Sequence, residues 1–142
     1  MFKKLAIATM LVAVALGPAV LPVAAQGADL SVTVSYTGKG PVDDKNDILV
    51  FLFREAKPTA ESQPIGVQYI TKNGGTAVFK AVTGEVYVVT VYDEKANYDG
   101  QSGPPPAGVP IGGYSKDGKP VPVDAAKTPK ISFKFDDSRR WQ

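Results

Sequence analysis

Residues 93–100 (DEKANYDG) combine three acidic side chains and one amide within eight positions, directly after an apolar run. Calcium takes roughly six to eight oxygen ligands, and carboxylates at alternating positions before a glycine are a common way to supply them. We therefore predict Asp93, Asn97 and Asp99 as metal ligands. The spacing does not match an EF-hand, whose first ligand would fall on Lys95. The alternative is a solvated turn in which Asp93 and Asn97 bond their own backbone.

A second acidic segment, residues 43–47 (DDKND), lies between two apolar runs. If this loop and the loop at 93–100 fall at the same end of the fold, Asp43 and Asp47 would complete the same cation site. The alternative role is that of a polar loop whose charges keep the flanking hydrophobic strands soluble.

The sequence contains no histidine and no cysteine. Ser-His-Asp and Cys-His centres, zinc sites built on thiolate or imidazole, and disulfides are therefore excluded. Carboxylate pairs also suit glycoside hydrolysis, but so small a chain has little room for both a core and a cleft that excludes water. We predict a non-enzymatic protein without a cofactor, unless calcium binds. The alternative is a small hydrolase of unrecognised type.

Tyr98 and Tyr114 lie outside the strand pattern described below. Exposed tyrosines can stack on sugars or contact a protein partner, so we predict both as candidate contact residues. Their alternative role is to fold a long loop onto the domain. Residues 104–106 (PPP) favour polyproline II, which serves either as a docking segment or as a stiff spacer.

Alternating and continuous apolar patterns predict strands and no helix. Leu30, Val32, Val34 and Tyr36 alternate with hydroxyl residues, which places them on one face of a half-buried strand. Residues 48–53 (ILVFLF) form a continuous apolar run, which is typical of a central strand buried on both faces.

Further strands are predicted at 65–72, 76–82, 86–92 and 130–135. Residues 73–75 (NGG) predict a hairpin between the first two of these, with Ala81 on the same face as Phe79 and Ala77. A long Gly/Pro-rich loop follows at about 93–122, and the tail 136–142 is predicted to fray. The expected fold is all-β: a single β-sandwich of about seven strands in residues 26–142, a Greek key of the prealbumin-like or immunoglobulin-like kind.

Residues 76–93 (TAVFKAVTGEVYVVTVYD) resemble a recurring segment of prealbumin-like sandwiches, in which an apolar-Phe strand, a turn with Gly and a Tyr-containing strand end in Asp. These sandwiches include carboxypeptidase regulatory-like domains and a bacterial family of exported domains of unknown function. The later Asn97, Asp99, Gly103-Pro104 and residues 113–115 (GYS) are similar to that family. The resemblance implies a prealbumin-like β-sandwich and a non-enzymatic role, since the enzymes of this class need histidine.

Residues 1–25 have the layout of a secretory signal peptide. Lys3 and Lys4 precede an apolar core at 5–16, Gly17-Pro18 breaks the helix, and small residues end at Ala25. We predict cleavage near Ala25 and a secreted or periplasmic location. The alternative is an uncleaved membrane anchor, because the apolar run is about long enough to span a bilayer.

Without Lys3 and Lys4, the remaining chain has as many basic as acidic residues, 14 of each. Nucleic acids and anionic membranes attract clustered positive charge, so we predict no nucleic acid partner and no stable membrane insertion after signal removal. The predicted function is a binding or accessory module for an unknown protein or glycan of the cell envelope. The alternative is a calcium-stabilised structural or cell-surface-associated protein.

Overall fold

The computed structural model describes residues 17–18 and 26–142. The predicted signal peptide at 1–25 therefore lies outside the described residues, apart from Gly17 and Pro18. Within the described part there is no helix, and ten strands form. They are β1 (Ala28–Tyr36), β2 (Ile48–Phe53), β3 (Gly66–Ile70), β4 (Thr76–Val82), β5 (Glu85–Tyr92), β6 (Ile111–Gly113), β7 (Ser115–Lys116), β8 (Lys119–Pro120), β9 (Val123–Asp124) and β10 (Lys130–Phe135).

The strands form two main open sheets. The first has the order β10-β1-β4 and the second the order β3-β2-β5-β6, with β9 also pairing with β5. β1 and β10 run parallel, whereas the other strand pairs are antiparallel. The prediction of an all-β sandwich is confirmed, with ten strands instead of about seven because short strands form within and after the Gly/Pro-rich segment. The prealbumin-like or immunoglobulin-like type stays a prediction.

The alternating pattern of β1 builds the core between the two sheets. Leu30, Val32 and Val34 have no exposed surface, and Tyr36 is also buried. The ring of Tyr36 stacks on that of Tyr92 in β5, with 4.1 Å between the ring centroids. The predicted inward face of β1 is therefore confirmed, and it packs the first sheet against the second.

The central strand β2 is buried on both faces, as its continuous apolar sequence predicts. It lies between β3 and β5, and none of its residues is more than 9% exposed. Its even-numbered residues pack in the core between the sheets, while its odd-numbered residues belong to a second apolar cluster on the outer face. The outer face of the second sheet must therefore be covered by another part of the chain.

The segment at 73–75 does not form the predicted hairpin. β3 pairs with β2 in the second sheet, whereas β4 pairs with β1 in the first, so this segment crosses between sheets. Asn73 explains the crossing, because its side-chain oxygen accepts a hydrogen bond from the Tyr36 N–H and its amide nitrogen donates to the Tyr36 carbonyl, both at 2.8 Å. The turn is thus tied to the end of β1 instead of closing β3 on β4.

Ala81 is exposed, contrary to the prediction that it shares the inner face of its strand with Phe79. A β-bulge interrupts the pairing of β4 with β1 at this point, and Ala81 takes a φ of 52°. Asp29 holds the bulge, because its carboxylate accepts hydrogen bonds from the Ala81 N–H at 3.2 Å and from the Lys80 ammonium at 2.8 Å. The extra residue turns Val82 into the core in place of Ala81.

Candidate functional site

The segment after β5 folds back over the outer face of the second sheet. Tyr98 fixes it there: its ring centroid lies 6.2 Å from that of Phe51, and its hydroxyl donates to the Gly103 carbonyl at 3.0 Å. Burial raises the pKa of Tyr98 to about 12, which favours the protonated hydroxyl that donates this hydrogen bond. Tyr98 therefore ties the long loop to the sandwich, which is one of the two roles that the sequence left open.

Gly100 makes the closest approach of this loop to the sheet. Its φ is 76°, and an added Cβ would lie 2.7 Å from the Leu49 side chain and 3.1 Å from that of Val67. Glycine alone satisfies both this backbone conformation and this gap. The loop and the sheet are thus in direct van der Waals contact at Gly100.

The C-terminal tail also docks beside this loop, and the prediction that it frays is wrong. The Trp141 N–H donates to the Val109 carbonyl at 3.0 Å, and the Gly108 N–H donates to the Trp141 carbonyl at 2.8 Å. The Arg140 guanidinium donates to the Gly108 carbonyl at 2.7 Å and pairs with Glu94 at 2.9 Å. The side chain of Trp141 joins the outer apolar cluster, so the tail contributes to covering the sheet.

Between these segments the outer face of the second sheet forms a groove of about 820 Å³. Val67, Val89 and Ile111 are partly exposed in it and pack on the outer apolar cluster. Three segments supply its walls, within residues 56–64, 98–105 and 111–120. Small-molecule sites are typically concave, mostly apolar and roughly 300–1,000 Å³ in volume. The groove therefore has the size and the chemistry of a ligand site.

Both predicted contact tyrosines line the groove. Tyr114 also packs against Phe133 at the edge of the core, with 6.0 Å between the ring centroids. Val89 and Trp141 line the groove as well, although neither was predicted as a contact residue. The signal that could have found Val89 is the apolar character of β5 on both faces, which requires an outer as well as an inner apolar contact.

The two acidic loops lie side by side at one end of the sandwich. The Asp93 N–H donates to the Asp47 carbonyl at 2.9 Å, and the Asn46 side-chain amide donates to the Asp93 carbonyl at 3.0 Å. A depression of about 890 Å³ lies between the loops. Its polar lining includes Asp44, Asp47, Asp93, Asn97 and Asp99.

Three of the six carboxylates in these two loops are engaged in their own turns. Asp93, only 3% exposed, accepts hydrogen bonds from the N–H groups of Asn97 and Tyr98, both at 3.2 Å. Asp43 and Asp99 accept in the same way from N–H groups two and three residues later. These three acids have the turn-forming role that is the alternative to metal binding.

Asp47 differs from them because its pKa is raised. Burial is the main cause, followed by the negative charge of Asp93. Across residues 17–18 and 26–142, no group of three or more acidic side chains is arranged to hold a metal ion. Calcium binding by Asp93, Asn97 and Asp99, with Asp43 and Asp47, stays a prediction.

No family model, curated protein or solved structure matches this chain. The resemblance to prealbumin-like exported domains therefore stays a prediction that rests on residues 76–93 and the motifs after them. In the part of the chain that the structure describes, no helix is long and apolar enough to cross a membrane.

Replacing Gly100 by Ala tests whether the loop is packed on the sheet. Gly103 is the matched control, because its φ is also positive, 99°, but no atom lies within 4 Å of an added Cβ. We expect Gly103→Ala to lower the free energy of unfolding by about 1 kcal/mol through backbone strain alone. Gly100→Ala should lower it by about 3 kcal/mol, since overpacking is added to the strain. Urea unfolding measures both, and equal losses would contradict this packing.

Proposed function

We propose that this protein is an exported, non-enzymatic binding module whose ligand site is the groove on the outer face of the second sheet. The observation that carries the proposal is the groove itself, with its volume of about 820 Å³ and with Tyr98 and Tyr114 in its lining. An apolar concavity with a small number of polar groups is the usual form of a small-molecule site.

The incomplete cover of this sheet favours ligand binding over a purely structural role for the long loop. The loop and tail bury Leu49, Phe51 and Val91, yet Val67 and Val89 on the same face remain partly exposed. Contact with water costs about 25 cal/mol for each Å² of such apolar surface. Contiguous apolar surface of this kind commonly marks an interaction site.

The apolar walls of the groove also favour one kind of partner over another. A protein or glycan of the cell envelope is the partner class predicted from the sequence, and export through residues 1–25 would bring the groove to that compartment. Its apolar walls favour a ligand that offers apolar surface, because every buried sugar hydroxyl would need a hydrogen-bond partner. The prealbumin-like resemblance of residues 76–93 agrees with a non-enzymatic role.

Filling the groove tests the proposal. We expect N-phenyl-1-naphthylamine, an uncharged dye that fluoresces in apolar surroundings, to bind the wild-type protein with a dissociation constant in the micromolar range. Val89→Trp should weaken this binding at least about tenfold, because the larger side chain occupies the groove. Val78→Trp is the control, since Val78 is 40% exposed on β4 of the other sheet.

Fluorescence titrations in which the dye itself is excited, and not the tryptophans, give the affinities. Circular dichroism shows that each variant is folded. A folded wild-type protein that does not bind the dye would contradict the proposal. So would a folded Val89→Trp variant that binds it as tightly as Val78→Trp.

Calcium binding is the second candidate function, and the electrostatics of Asp47 favour it. The pKa of this carboxyl is raised by burial and by Asp93, so its ionised form is disfavoured in the folded protein. A cation bound in the acidic depression would stabilise the ionised form of Asp47 and offset the negative charge of Asp93. The protein would then be stabilised by calcium as a structural or cell-surface-associated sandwich.

Asp47→Asn separates the effect of charge from that of calcium. Because the pKa of Asp47 is raised in the folded state, its contribution to stability falls as the pH rises through that pKa. At pH 7 in the presence of chelator, the Asp47→Asn variant should therefore have a higher Tm than the wild-type protein. About 5 mM calcium should raise the Tm of the wild-type protein by about 2 °C and leave the Tm of the Asp47→Asn variant unchanged. Asp44→Asn, which changes an exposed acid in the same depression, should keep the calcium response. Equal calcium responses in wild type and Asp47→Asn, or none in wild type, would rule the site out.

A further inference from the structure

The charges that line the groove are all positive. Lys57 and Arg139 are the two charged residues in its lining, and no acidic residue contributes to it. Glu55 and Glu61, which flank the wall at 56–64, accept hydrogen bonds from hydroxyl groups of their own loop at 2.9 and 3.1 Å and do not line the groove. Apolar walls with positive charge alone are complementary to an apolar molecule that carries a negative group.

Arg139 is the better placed of the two basic residues to hold that group. Its carbonyl accepts a hydrogen bond from the Ile111 N–H at 3.0 Å, and Trp141 anchors the chain two residues later. Among the described residues, no carboxylate forms an ion pair with the Arg139 guanidinium, whereas the neighbouring Arg140 is paired with Glu94. A guanidinium held on a fixed backbone can offer two parallel hydrogen bonds to one carboxylate.

Lys57 lies toward the opposite end of the groove. Ile111, beside Arg139, pairs with Val91 of β5, while Lys57 follows Phe53, which pairs with Tyr87. Val91 and Tyr87 are four residues apart on one strand, or about 13 Å. The strand residues to which the two basic residues are linked, Ile111 and Phe53, therefore lie about 13 Å apart along β5, and Lys57 itself lies in a loop four residues beyond Phe53.

We propose that the groove binds a small monoanionic amphiphile, such as a fatty acid or an aromatic carboxylate. The carboxylate is held by the Arg139 guanidinium, and the apolar body lies along Val89 and Ile111 beside Trp141. This inference rests on the proposed function, since it names the class of ligand that the same groove takes.

Two dyes that share one aromatic skeleton provide the test. 8-Anilinonaphthalene-1-sulfonate carries one negative charge, and N-phenyl-1-naphthylamine carries none. We expect the wild-type protein to bind the anionic dye at least about tenfold more tightly than the neutral dye, as charge-assisted hydrogen bonds allow. Arg139→Gln should abolish that preference while changing affinity for the neutral dye less than about twofold. Lys57→Gln, the matched loss of one positive charge, should preserve most of it.

Displacement of the anionic dye extends the test to the proposed ligand class. Dodecanoate should compete with the dye on the wild-type protein, and Arg139→Gln should weaken that competition about tenfold. If both dyes bind equally well and Arg139→Gln changes neither, the groove is a binding site but the anionic ligand class is wrong. If neither dye binds, or binding survives Val89→Trp, the proposed function itself fails. A loss of preference in Lys57→Gln as large as in Arg139→Gln would overturn the assignment of the carboxylate to Arg139.

Discussion

The structure depends on one constraint: the central strand of the second sheet is apolar on both faces. Every residue of β2 is buried, although a sheet in a two-layer sandwich has only one face turned toward its partner sheet. The inner face is covered by the first sheet, through residues such as Leu30 and Val32 of β1. The outer face needs a separate cover, and the segment after β5 and the C-terminal tail provide it.

The need for this cover explains why the long Gly/Pro-rich segment packs on the outer face of the second sheet. Tyr98 and Gly100 pack the first half of this segment against the sheet. Backbone hydrogen bonds between residues 108–111 and the tail place Trp141 on the same face. The cover stops short of the middle of the face, where Val89 remains partly exposed. The groove is thus the part of an apolar sheet face that the chain does not cover with its own residues, which links the stability of the fold to its proposed function.

The sequence predicted those features that depend on local pattern. The alternation in β1 and the continuous apolar run of β2 are properties of neighbouring residues, so both strands and their buried faces could be predicted. The hairpin at 73–75 failed because a turn sequence does not show which sheet receives the next strand, and here Asn73 binds Tyr36, far away in the sequence. Ala81 was placed on the wrong face because the bulge depends on Asp29, a residue of another strand.

The candidate site was predictable to a similar extent. Tyr98 and Tyr114 could be selected because they lie outside the strand pattern, and both line the groove. Arg139 and Trp141 could not be assigned to it, because their positions follow from a ladder between the chain end and residues 108–111. Such contacts are tertiary, and nothing in the composition of the tail indicates them.

Amide chemical shifts of ¹⁵N-labelled protein, titrated with 8-anilinonaphthalene-1-sulfonate, would locate the bound molecule on the structure. If the uncovered outer face of the second sheet is the ligand site, the largest changes will fall on Val89, Gly112 and Gly113 of β5 and β6 and on the Trp141 indole. Changes concentrated at the acidic loops, or spread over the outer face of β1 and β4, would show that the ligand does not bind in the groove.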